Sequence, residues 1–308
     1  SVFLRYCIKA IYILIQNLKV PALANKQYIS IIRLFEHCDI SVEENIQVSR
    51  IKKQLAAEFD LGSSGFIETE GYSYNKQDVF EEVGKPDFIG RLHYHQLLWK
   101  RKVLLAMLED NVVDLPGIDE DFKSFQNDPA FDHFFSPYFG FSFNYISRSF
   151  LNELKLDELS EWLCYEDFLL PEDREEGFRA IRIFLEDNIR LLRNINTTSY
   201  KPVRARVIHW GENGASRFLN NLPDDFYGAK NEIVLYLINL TVRIQKTYRK
   251  DCKHISTELT CIRDLPEETA RLIHNNHKAY TQPRITFSGK YSWLIWIAFI
   301  LIRILAGC

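Results

Sequence analysis

The last eighteen residues, 291–308, constrain this chain more than any other stretch. They read Tyr-Ser-Trp-Leu-Ile-Trp-Ile-Ala-Phe-Ile-Leu-Ile-Arg-Ile-Leu-Ala-Gly-Cys, with Arg303 as the one charge in the run. As a helix, such a run is about 27 Å long, close to the ~30 Å of a bilayer's hydrocarbon core. Tyr291, Trp293 and Trp296 stand at one end, as aromatic rings do at a membrane interface. Arg303 stands nearer the other end, from which a long side chain can snorkel to the headgroups. The pattern predicts a C-terminal transmembrane helix. Lys278, Arg284 and Lys290 ahead of it put the body of the chain on the cytoplasmic side by the positive-inside rule. A buried terminal helix and the first half of a longer apolar segment are the competing readings.

The rest of the chain is globular in composition. With 46% hydrophobic and 26% charged residues it can bury a substantial core, which excludes general disorder. The net charge of -3 hides an uneven layout: residues 61–170 carry about 11 more acids than bases, and residues 171–308 about 6 more bases than acids. That layout disfavours nucleic acid as a partner, without excluding it, and suits docking to an acidic region or an anionic lipid surface. The six cysteines form no CxxC pair and no zinc-ligand cluster, so they read as reduced, mostly buried thiols and no metal site is expected. Gly211-Glu212-Asn213-Gly214 lacks the spacing and the Lys-Ser/Thr pair of a phosphate loop, and no cofactor is expected either.

Helical periodicity dominates, and four parts follow from it: N-terminal helices in residues 1–60, an acidic and aromatic region in 61–170, a basic helical region in 171–290, and the anchor in 291–308. Leu4, Ile8, Ile11, Ile15 and Leu18 predict a first helix over residues 2–20. A second covers 26–37, and Ser41 with Glu44 forms a capping box that opens a third, running to residue 59. Glycines and serines at 62–65 make a break, and the short alternating stretch 66–74 predicts a strand or hairpin. Asn75 caps a short helix, and residues 87–110 read as one long helix. His93 and His95 within it point to different sides and do not share a metal ion. Residues 111–145 read as the least regular part. Residues 178–195 form the most cleanly two-faced helix, residues 201–210 alternate like a strand, and an apolar helix over 230–250 and a polar one over 266–280 follow. The fold class is therefore mainly α: eight to ten helices with minor β, plus the C-terminal membrane helix.

Three groups of residues are functional candidates besides the membrane segment. Phe131, Phe134, Phe135, Tyr138 and Phe139 form an aromatic cluster fit either for a protein partner or for the core. Arg179, Arg182, Arg190 and Arg193 line one side of the 178–195 helix, where they can meet a protein partner, phosphates or lipid headgroups. Arg271 and His277 lie a few residues apart on a polar helix. This pair resembles the short motif of HEPN-type ribonucleases, which implies a His base and an Arg that stabilises the cleaved phosphate. Leu272 departs from that motif, which usually has a polar residue after the Arg. With no nucleotide loop, metal cluster or nucleophile elbow in sight, the expected function is a non-enzymatic, membrane-tethered scaffold or assembly subunit. A membrane-associated ribonuclease or defence effector is the alternative.

Overall fold

The computed structural model describes residues 27–42, 47–62, 65–123, 125, 128–212 and 214–282. The expected helix at 2–20, Glu44 of the capping box and the whole 291–308 segment lie outside them. The described residues are mainly helical, with 15 α-helices and one two-stranded sheet. Helices are thus more numerous and shorter than periodicity implied. They fall into two compact units that divide between Glu186 and Asp187.

In the first unit, α1 (Ile31–His37) starts at Ser30, whose hydroxyl accepts from the Arg33 amide. After α2 (Val48–Leu61), strands β1 (Phe66–Thr69) and β2 (Tyr72–Asn75) form the expected hairpin, pairing Thr69 with Tyr72. Its two turn residues, Glu70 and Gly71, both have positive φ (49° and 87°), the geometry whose twist matches that of the flanking strands. Asn75 then caps α3 (Lys76–Gly84) by accepting from the Gln77 amide at 2.7 Å. The expected long helix is two, α4 (Phe88–Lys100) and α5 (Lys102–Asp110), broken at Arg101, where ψ of 83° is incompatible with a helix. His95 on α4 is buried while His93 is exposed, as their spacing requires.

The stretch read as irregular contains α6 (Leu115–Lys123) and α7 (Pro129–Glu153), the latter the longest helix described. Asp128 opens α7 by accepting from the amides of Ala130 and Phe131, and Pro129 sits in the first turn, where its missing N–H costs nothing. Pro137 lies inside α7, which hid the helix from a propensity reading. What holds it is burial. Phe131, Phe134, Phe135, Phe139 and Phe143 are at most 2% exposed. Their rings run in sequence, with centroids 5.0 Å apart for Phe131–Phe135, 5.1 Å for Phe135–Phe139 and 5.4 Å for Phe139–Phe143. Trp162 of α8 (Leu156–Leu163) stacks on Phe143. Ser136 fastens α7 to the stretch before the short α9 (Arg174–Gly177): it donates to Asp173 and accepts from the Leu170 amide, each at 2.8 Å.

Helix α10 (Arg179–Asn194) contains the boundary between the units. Beyond it, the stretch expected as a strand is helix α11 (Tyr200–Val207) followed by a 3-10 turn, Ile208–Gly211. Tyr200 and Val207, two helical turns apart, are both buried, and Pro202 falls in the first turn where a helix tolerates it. Helix α12 (Ala215–Asn220) leads to α13 (Tyr227–Ile244), which buries Ile233, Val234, Leu237, Leu240 and Ile244 at the centre of the unit. Helices α14 (Arg249–Leu259) and α15 (Glu267–Thr281) pack on it. Gly211 lies so close to α14 that a Cβ would meet the Ile255 nitrogen at 2.7 Å. Asp251 of α14 accepts from Tyr200 (2.9 Å) and from two nitrogens of Arg204 (2.6 and 2.7 Å), tying α11 to α14. No helix among the described residues is long and apolar enough to cross a membrane.

The aromatic cluster gives a direct test of this architecture. Phe135→Ala, which removes contacts to Phe122, Phe131, Phe139 and Phe168, is expected to cost about 3–5 kcal/mol in urea unfolding. Tyr145→Ala, at a half-exposed position of the same helix, is expected to cost under about 0.5 kcal/mol. Equal effects would contradict the packing described.

Candidate functional site

Burial decides the first group of candidates. Phe131, Phe134, Phe135 and Phe139 are enclosed, and Tyr138 is 7% exposed. An aromatic contact surface for a partner is therefore not what these rings provide; they are the interior face of α7. Tyr138 also takes part in a polar cluster. Its hydroxyl donates to Glu82 Oε2 (2.6 Å) and accepts from Arg91 (2.8 Å). The same carboxylate accepts from Lys85 Nζ (2.6 Å), twice from Arg91 (3.0 and 2.9 Å) and from His95 Nε2 (3.2 Å). On its other side His95 Nδ1 accepts from Tyr28 at 2.9 Å, which makes the imidazole a neutral Nε2–H tautomer. Burial raises the Glu82 carboxyl, but the donors from His95, Lys85 and Tyr138 outweigh it and hold the group well below the usual carboxylate range. Burial also pushes the His95 imidazole down and the Tyr28 phenol up, so both stay neutral.

Hydroxyl, imidazole and carboxylate in a line are the arrangement that activates a nucleophile. Here Tyr28, His95 and Glu82 are 4%, 0% and 6% exposed, so a substrate has no access to the hydroxyl. The cluster works as an internal fastening of α3, α4 and α7. A second buried pair, Arg33 with Glu109, makes two parallel bonds of 2.8 Å, with the Tyr72 ring 3.8 Å from the guanidinium carbon.

The arginine face is divided. Arg179 pairs with Glu176 and Arg182 is exposed, both in the first unit's share of α10. In the second unit, Arg193 is committed to α13, donating to Tyr236 and to Glu232 at 2.8 Å each. Arg190 is exposed and makes only a 3.5 Å contact with Asp187. It lies on an open groove of about 460 Å³ between α10 and α11. Leu191, Ile195 and Val203 give the groove its apolar lining, while Arg190, Arg206, Asp187, Asn194 and Ser199 surround it. Arg206 is exposed and meets no carboxylate within ion-pair distance among the described residues.

The turn between α10 and α11 is fixed by its own sequence. Asn196 Oδ1 accepts from the Thr198 and Ser199 amides (3.0 and 2.9 Å) and from the Thr198 hydroxyl (2.7 Å). Arg243 of α13 donates to the Ile195 carbonyl at 3.0 Å. The groove is thus preformed. Sequence reasoning singled out Arg190 but missed Val203 and Arg206 as its neighbours. On a strand they would face opposite ways, whereas three residues apart on a helix they share a side.

Arg271 and His277 both lie on α15. Six residues separate them by about 9 Å along the axis, with the exposed His274 on the arc between them. His277 is oriented by α14. Ser256 Oγ, which also lies 3.0 Å from the Lys253 carbonyl, is 3.3 Å from His277 Nδ1. Among the described residues no group of His, Cys, Asp and Glu could hold a metal ion. Cys38, Cys164, Cys252 and Cys261 form no disulfide. Only Cys252 is fully buried and two are exposed, which corrects the expectation of mostly buried cysteines. Tyr291, Trp293, Trp296 and Arg303 lie outside the described residues.

The buried titratable groups set a pH dependence. The folded chain holds the Glu82 carboxyl and the His95 and His209 imidazoles below their ordinary values, His209 at about 4 through burial and then Arg206. The unfolded chain therefore binds more protons as pH falls, and stability drops. For His209 the contribution is complete above about pH 6.5 and is lost on the way to pH 4; Glu82 adds its loss below about pH 4.5. The urea midpoint is expected to fall between pH 7 and pH 4, and His209→Leu to flatten the upper part of that profile. A midpoint independent of pH would be inconsistent with these environments.

No protein-family model matches this chain, and neither a curated protein nor a solved structure matches it.

Proposed function

We propose that this chain is a membrane-tethered, non-enzymatic scaffold or assembly subunit that works through protein–protein contacts of its second unit. The observation that carries this reading is the preformed groove flanked by Arg190 and Arg206. It combines positive charge that is only slightly compensated with apolar lining, a pairing that favours a protein partner over a purely electrostatic one. The tether is the apolar segment 291–308 with Tyr291, Trp293 and Trp296 at one end, and the basic residues before it favour a cytoplasmic body. Full-length chain is expected to stay with membranes through carbonate extraction, and a chain lacking residues 291–308 to be released. Affinity purification from native membranes is expected to return the chain together with a protein partner. Release of the full-length chain would remove the tether, and recovery as a lone monomer would remove the assembly role.

A ribonuclease reading rests on the placement of His277 with Arg271 and His274 along one helix, where Ser256 lies 3.3 Å from its Nδ1. Incubation of the purified chain with a mixed RNA pool tests it. Cleavage lost in His277→Ala would make the protein an enzyme, and no cleavage by either form would eliminate that reading.

A further inference from the structure

We propose that the groove between α10 and α11 docks an acidic, amphipathic peptide segment of a partner protein, its carboxylates meeting Arg190 and Arg206 and its aliphatic side chains lying on Leu191, Ile195 and Val203. This rests on the scaffold reading and names the chemistry of the partner. Three features of the groove select a peptide. First, the two guanidiniums are exposed, and their local compensation is slight. Arg190 has a 3.5 Å contact with an exposed Asp187, and Arg206 has no carboxylate in reach among the described residues. Such forks favour planar carboxylates, which they bind with two parallel hydrogen bonds.

Second, the lining between the arginines is aliphatic. Ile195, 3% exposed, forms its floor, while Leu191 and Val203 are half-buried, so covering those two removes apolar surface that the fold leaves wet. A phosphate or a lipid headgroup has nothing to place there, and Asp187 at the edge repels a dense polyanion. Third, backbone-type hydrogen bonding is on offer. Asn194 Nδ2 is occupied by the Arg190 carbonyl at 3.0 Å, which leaves its Oδ1 to accept a peptide N–H. The Asn196-centred turn and the Arg243 bond to Ile195 hold these groups in place before any partner arrives, which lowers the ordering cost of binding.

The test uses the full chain and a fluorescein-labelled synthetic peptide of Glu-Leu-Leu-Glu repeats, read by fluorescence anisotropy, with phosphatidylserine vesicles as the second probe. Saturable peptide binding that weakens with salt is expected. Arg206→Glu and Val203→Asp are each expected to weaken it at least about tenfold, while Arg263→Glu, the same charge change on an exposed arginine away from the groove, leaves it within about twofold. Circular dichroism checks that the variants fold, and Arg206→Glu, at an exposed position, carries the result if Val203→Asp does not. The proposal is overturned by absence of saturable peptide binding, or by an equal loss in Arg263→Glu. It is also overturned if the groove variants reduce only vesicle binding, or if they abolish self-association of the chain and leave peptide binding intact. Capture of a membrane partner by wild type and Arg206→Glu alike would remove the groove as its site while leaving the scaffold reading in place.

Discussion

One buried carboxylate holds the first unit in register. Glu82 accepts five hydrogen bonds from four side chains in three places: Lys85 just past its own helix, Arg91 and His95 on α4, and Tyr138 on α7. Desolvating a carboxylate is costly, and its compensation depends on all of these donors being present together. Removing one leaves a buried charge underserved, so the network penalises any arrangement of α3, α4 and α7 but this one. The hydrophobic packing around it is less selective: aromatic rings tolerate sliding, whereas a carboxylate shared among fixed donors does not. The neutral His95 extends the same constraint to Tyr28, placing the segment before α1 against the interior.

Much of the helical content could be read from sequence where polarity changes with a helical period. Residues 178–195 gave α10 within a residue or two because arginines and aliphatics alternate around it, and Asn75 announced α3 through its capping oxygen. The hairpin at 66–75 was visible in its alternation, although its turn is Glu70-Gly71 and not a common Asn-Gly. Failures came where the period was masked. In α7, aromatics occupy most positions of a broad arc, Pro137 interrupts the propensity, and no polar stripe marks an outer face until the last turns. In α11, eight residues are too few for period to decide, and Val203, Ala205 and Val207 mimic a strand.

The candidate site was half legible for the same reason. Arg190 was evident from the face of α10, but a groove needs two walls, and the second wall was assigned the wrong backbone. The Glu82 cluster left no trace in sequence because its members are 28, 82, 85, 91, 95 and 138, a spacing that only the tertiary fold brings together. His277 was found from a short motif. The Ser256 contact to its ring is 21 residues away and belongs to another helix.

The composition of α7 bears on the order in which the first unit forms. A helix rich in Phe, Ser and Tyr, with a proline inside, has little tendency to exist before its neighbours arrive. Its rings find their partners at Phe122, Phe125, Trp162 and Phe168, contributed by segments on both sides of it in the chain. Helix formation and collapse of the aromatic cluster are therefore a single cooperative event. Synthesis from the N-terminus must reach at least residue 168 before that event can finish, and until then the aromatic face of the nascent chain stays exposed to chaperones and to other chains.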